Sequence, residues 1–124
     1  DYDPASRVNS FLHVNHAPAA PRYGTLLCVN GTGILNSWLR KNTASGLGYE
    51  QMNRLAASVP VGSDGLVTLP FGNGAERVLE NRQPGASVLN LNFNNHTQAH
   101  LLRSAQEGIV FALNYGVDVM KTLG

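Results

Sequence analysis

Two glycines, Gly31 and Gly33, stand where an apolar run from Tyr23 to Val29 gives way to a helical pattern. A glycine turn between a strand and a helix suits one kind of chemistry. Without a Cβ the backbone can come close to a ligand. The first amides of the helix lack partners and lie at the positive end of the peptide dipoles. Phosphate is the natural guest of such a turn. The turn from Asn30 to Ser37 is therefore the leading candidate site. Its spacing is not diagnostic. No Lys-Ser/Thr follows, as in a phosphate-binding loop, and no third glycine, as in a dinucleotide fingerprint. On spacing alone a plain tight turn is the simpler reading.

Other constellations are weaker. His96 and His100 lie four apart, as two metal ligands on one helix face would. Thr97 stands where a metalloprotease motif needs glutamate, and no third ligand has motif spacing. These two, like His13 and His16, suit capping or surface roles better, so no metal site is expected. Glu76 and Glu80 could form a glycosidase-type carboxylate pair. With Arg77 and Arg82 beside them, a solvated or ion-paired loop is the expected reading. Ser10, Ser45, Ser58 and Ser104 have no nucleophile-elbow context. Cys28, the single cysteine, sits in the apolar run and is expected in the core. A lone cysteine excludes an internal disulfide and suits the reducing cytoplasm.

These residues must be positioned by a chain of 124 residues, one domain or part of one. A hydrophobic share of 43% against 14% charged argues for a packed core and against disorder. A formal net charge of +1 makes no electrostatic case for nucleic acid or an acidic membrane surface. No apolar run approaches the ~20 residues that span a bilayer.

The elements follow from periodicity. Asp1 to Ser6 is expected to turn around Pro4, and Arg7 to His13 alternates like a strand. Tyr23 to Val29 has the pattern of a strand buried on both faces. Ile34, Leu35, Trp38 and Leu39 fall at helical spacing, and that helix should stop before Gly46. Tyr49 to Ser58 predicts a second helix, which Pro60 ends. Leu66 to Leu69 and Ser87 to Phe93 predict strands, with a long loop from Phe71 to Gly85 between them. Thr97 is a good N-cap. From Gln98 to Leu123, residues Leu102, Ala105, Ile109, Ala112, Leu113, Gly116, Met120 and Leu123 mark one face of a helix roughly 40 Å long. Long helices with buried strands indicate an α/β layer architecture.

Five segments, in order, resemble the FGGY family of carbohydrate kinases, above all its xylulokinase-like members. They are LLCVNGTGILNSWLR, GYEQMNRLAASV with its PVGSDGL exit, LPFGNGAER, GASVLNLNF and HTQAHLLRSAQEG. No one of them is diagnostic; their order is. The exit is one residue longer than the family's Pro-Gly-Ser-Asp-Gly, and Ala75 is inserted before Glu76-Arg77. Asn90 stands where the family usually has glycine, and Gln106 where it has an apolar residue. These departures suggest a divergent subfamily.

The resemblance implies a fragment of an actin-like, ribonuclease H-like ATPase domain, with helices packed on a mixed sheet. Residues 1–124 would be part of the carboxy-terminal domain, incomplete at both ends. The intact parent would be a cytoplasmic kinase that uses ATP with Mg2+ to phosphorylate D-xylulose, or else ribulose, gluconate or glycerol. A non-catalytic binding or assembly module of the same fold is the other reading. The cofactor-binding residues carried over are Gly33 and Ser37, with Gly31, Asn30 and Asn36 secondary. The catalytic aspartate and a phosphate loop are expected before Arg7, and an adenine-binding loop after Gly124. The chain alone should be inactive. Open strand edges and apolar surface make self-association an expected property.

Overall fold

The element that organises the chain is its last helix. A computed structural model describes residues 2–123, so Asp1, the start of the expected first turn, lies outside the described residues. Helix α3 (Gln98–Lys121) follows two strands β1 (Val8–Leu12) and β2 (Tyr23–Leu27), helices α1 (Thr32–Asn42) and α2 (Tyr49–Ala57), and strands β3 (Val67–Leu69) and β4 (Ser87–Leu89). Thr97 starts α3 in extended backbone, and its amide donates to His100 Nδ1 at 3.1 Å. That bond satisfies one of the donors left over at a helix start.

The buried face of α3 is partly the one periodicity marks: Leu102, Ala105, Ala112 and Gly116 are buried. Ile109 is only half-buried and Leu113 is exposed. Ser104, Gly108 and Val119 take the inner positions instead. The reason is close approach. A Cβ on Gly108 would lie 2.1 Å from the Thr68 carbonyl oxygen of β3. One turn earlier the Thr68 and Ser104 hydroxyls meet at 2.8 Å. Small residues let the strand backbone rest directly on the helix.

Two apolar clusters flank this contact. Leu39, Ala44, Met52, Ala56, Leu102 and Ala105 join α1 and α2 to the first half of α3. Burying a side chain such as Met52 or Leu102 contributes roughly 1.5–3 kcal/mol. Val8, Val78 and Val119 form the second cluster, with Leu27, Val29 and Phe71 against it. The α/β character is as expected. Among the described residues, however, the strands form two separate antiparallel pairs, β1 with β2 and β3 with β4, rather than one mixed sheet.

Three expectations need correction. The strand from Tyr23 ends at Leu27 and is not buried on both faces: Tyr23 and Leu26 are exposed, while Leu27 packs towards α3. Its apolar run reflects composition, not coverage. Cys28 is exposed rather than in the core. The strand expected to reach Phe93 stops at Leu89, because Asn90 adopts φ +64° and turns the chain. A left-handed residue cannot continue a ladder. The Asn90 side chain then donates from Nδ2 to the Gly65 carbonyl at 3.3 Å.

Polar ties fix the turns. The carboxylate of Glu107 on α3 accepts from the Gly62 amide at 3.0 Å and the Ser63 hydroxyl at 3.1 Å. Burial pushes Glu107 up, but these donors and Arg103 outweigh it and hold its pKa below the usual value. At the other end the buried Asp3 carboxylate accepts from the Arg7 guanidinium at 3.0 Å and 3.1 Å. The Arg7 guanidinium, against some desolvation, and the Arg7 and Ala5 amides lower the Asp3 pKa to about 2.

Replacing Gly108 by alanine tests the close approach. Alanine normally gains about 1 kcal/mol over glycine inside a helix. Here the clash with a strand carbonyl should reverse the sign, for a net loss of about 1–2 kcal/mol in urea unfolding. Gly116→Ala should lose less, because the atoms it meets are the side-chain ends of Leu27 and Val29. Asp3 makes a pH prediction. Its folded pKa is depressed, so its contribution is complete above the unfolded value near 3.8 and is lost as pH falls through about 2. Melting of Asp3→Asn between pH 4 and pH 2 should therefore fall less steeply than that of the parent chain.

Candidate functional site

Helix α1 opens without a side-chain cap. Gly31 is its N-cap, with φ −81° and ψ −12°, and the Leu35 amide donating to the Gly31 carbonyl at 3.2 Å makes the first turn. The amides of Thr32, Gly33 and Ile34 precede that bond and have no place in the helical ladder. Thr32 turns its hydroxyl back to the Val29 carbonyl at 3.0 Å.

The two amides before Thr32 are occupied. Asn30 donates to Glu76 Oε1 at 2.8 Å, and Gly31 donates to Glu76 Oε2 at 3.1 Å. Both carboxylate oxygens thus sit on consecutive amides of the glycine turn. Glu76 is 1% exposed. Its loop is pinned from both sides: Asn30 Nδ2 donates to the Ala75 carbonyl at 2.7 Å, and Asn73 Nδ2 donates to the Asn30 carbonyl at 3.0 Å. A turn Arg77–Leu79 and a bridge between Glu76 and Arg82 stiffen the loop from within. The expectation that Glu76 belongs to a solvated, ion-paired loop is therefore wrong for Glu76. Only Glu80 faces a cation, Arg82 at 3.7 Å, and both are largely exposed.

The candidate residues separate into two groups. Gly31 is buried, and a Cβ there would stand 1.7 Å from the Pro70 carbonyl oxygen. Its amide donates to Glu76, and its lack of a side chain lets the turn lie against Pro70. Gly33 is exposed, with nothing within 4 Å of where its Cβ would be. Asn36 and Ser37 follow three and four positions later, which brings all three to one face of α1. Both are half-buried. The opposite face, with Gly31, Ile34, Leu35 and Trp38, walls an apolar cavity of about 390 Å³ closed by Pro70 and Val88. Trp38 stands at it, 54% exposed.

The histidine pair serves the backbone. His96 Nδ1 accepts from the Asn92 amide at 3.0 Å, and its Nε2 lies 3.1 Å from the Asp64 carbonyl. His100 bridges the Thr97 amide to the Asp64 carboxylate, 3.0 Å from Nε2. Among the described residues no three metal-ligating side chains converge. Glu76 is the residue that reasoning from spacing misses, since 45 positions separate it from Gly31. The one signal for it is the Glu-Arg pair in the LPFGNGAER segment.

No protein-family model matches the chain. Individual proteins do. The xylulose kinase of Haemophilus influenzae is 40% identical over 75 residues, 60% of this chain and 15% of that enzyme. The gluconokinase of Bacillus subtilis is 33% identical over 95 residues, 68% of this chain and 18% of that enzyme. The crystal structure of xylulose kinase from Rhodospirillum rubrum superposes with a TM-score of 0.74 at 31% identity, covering 98% of this chain and 23% of that one. The chain fits a segment of an FGGY carbohydrate kinase. Its fold is part of the actin-like ATPase fold of those enzymes. It spans at most 25% of the length of the curated relatives it matches.

The two glycines of the turn should behave oppositely on substitution. Gly31→Ala drives a methyl group into the Pro70 backbone and should cost about 3 kcal/mol in urea unfolding. Gly33→Ala meets open space within a helix and should be neutral or gain up to about 1 kcal/mol.

Proposed function

We propose that the chain is the nucleotide-side segment of an ATP-dependent sugar kinase whose intact form phosphorylates D-xylulose. The observation that carries this is the 31% identity to a xylulose kinase across 98% of the chain, on a helix whose start is open at Gly33. In this reading the α1 amides around Gly33 and the polar groups of Asn36 and Ser37 meet the nucleotide. Gly31 contributes by letting the turn lie against Pro70. MgATP supplies the phosphoryl group to a sugar hydroxyl. In such a transfer the protein's task is to position the reactants and stabilise charge. The residues here would orient the nucleotide, and proton removal from the sugar would belong to the rest of the protein. Cytoplasmic residence goes with this reading, since ATP and reduced thiols are found there. Gluconate as the substrate is the second reading, favoured by the two gluconokinase matches at 33% and 32% identity.

Adding MgADP to the chain should shift the backbone amide resonances of Gly33 and Ser37 and leave Ala57, at the far end of α2, in place. Saturating MgADP with no response at Gly33 would sink the proposal. The chain incubated with MgATP and D-xylulose should form no sugar phosphate. Sustained turnover would show that it is a complete enzyme rather than one part of one.

A further inference from the structure

We infer that Glu76 is a positioning residue for the open face of α1, acting as a resident anion that fills the inner half of the glycine turn. The inference rests on the nucleotide reading above for its functional consequence, but its structural half stands alone. A glycine turn at a helix start presents its amides as an anion cradle. Here the first two, from Asn30 and Gly31, are both spent on one buried carboxylate. A ligand anion therefore has only the amides from Thr32 onward, on the side where Gly33 is uncovered.

The carboxylate does two things at once. It orients Asn30 and Gly31 inward, which fixes the pitch at which α1 begins. It also occupies the two amides that a phosphate entering the inner half of the turn would otherwise take. Glutamine keeps the shape of the side chain but not its function. One of its two terminal atoms is an NH2 donor, so it would face an amide hydrogen that has lost its acceptor. A buried donor without a partner costs more than the bond it replaces. The exposed neighbour Glu80 carries a similar charge in the same loop and touches neither amide, so it is the natural control.

The test compares the parent chain, Glu76→Gln and Glu80→Gln by amide hydrogen exchange and by MgADP titration. In Glu76→Gln the Asn30 and Gly31 amides should exchange at least tenfold faster, while the buried α3 amides near Leu102 and Ala105 keep their protection. MgADP affinity should fall about tenfold at a temperature where circular dichroism reports the folded state. Glu80→Gln should match the parent in both. Unchanged exchange at Asn30 and Gly31 overturns the inference. So does MgADP binding to Glu76→Gln with parent-like affinity. If Glu76→Gln does not fold, Glu76→Asp, which keeps the charge one methylene short, gives the same two readouts, with faster exchange and weaker binding expected. A parent chain that binds no MgADP defeats the nucleotide reading alone, and the exchange data then decide the role of Glu76 by themselves.

Discussion

The close approach of β3 to α3 is the constraint on which the rest of the structure depends. Gly108 leaves no side chain between the strand backbone and the helix, and at Ser104 only two small hydroxyls meet. That fixes where β3 lies, and β3 leads directly into Pro70 and the Asn73–Glu76 loop. The Pro70 carbonyl and the Glu76 carboxylate then determine how the glycine turn is built. The separation of one helix from one strand is thus transmitted to the start of another helix. The apolar clusters on either side stabilise this arrangement, but they would tolerate some repacking, as cores of conserved volume do. A backbone-on-backbone contact tolerates far less.

The glycine turn carries features of two kinds of site. Its inner amides are satisfied by the protein's own carboxylate, as in a structural turn. Its outer residues Gly33, Asn36 and Ser37 share an accessible face, as in a binding site. Gly31 and Gly33 thus differ in surroundings: the Pro70 carbonyl presses on the first, and open space lies beside the second. The cavity on the opposite side, beside Trp38, is lined mainly by apolar groups.

Much of the fold is legible in the sequence where a short-range rule governs it. The three helices follow from three-four spacing, and their ends from Pro60 and the Thr97 cap. The strand positions are also legible, within a few residues. What surrounds each strand is not, because an apolar run such as Tyr23 to Val29 is equally compatible with burial on two faces or on one. The end of β4 depends on a left-handed Asn90, which an alternating pattern through Phe93 conceals. On α3 the largest apolar side chains are poor guides to the inner face, since the tightest contact there selects glycine and serine. For the candidate site, the glycines stand out in the sequence but the reason for Gly31 does not. That reason lies in Pro70 and Glu76, which only the tertiary fold brings together.

The distance in sequence across the Glu76 clasp has an effect on how the chain acquires its site. Closing a loop of 45 residues is an entropic barrier that no local propensity offsets. The glycine bend is completed by a contact that spans α2 and β3 in sequence, so the region has high contact order. Length changes in the intervening surface connections alter the closure entropy only logarithmically and should be absorbed. The carboxylate itself, by contrast, touches the bend directly from the far side of that loop.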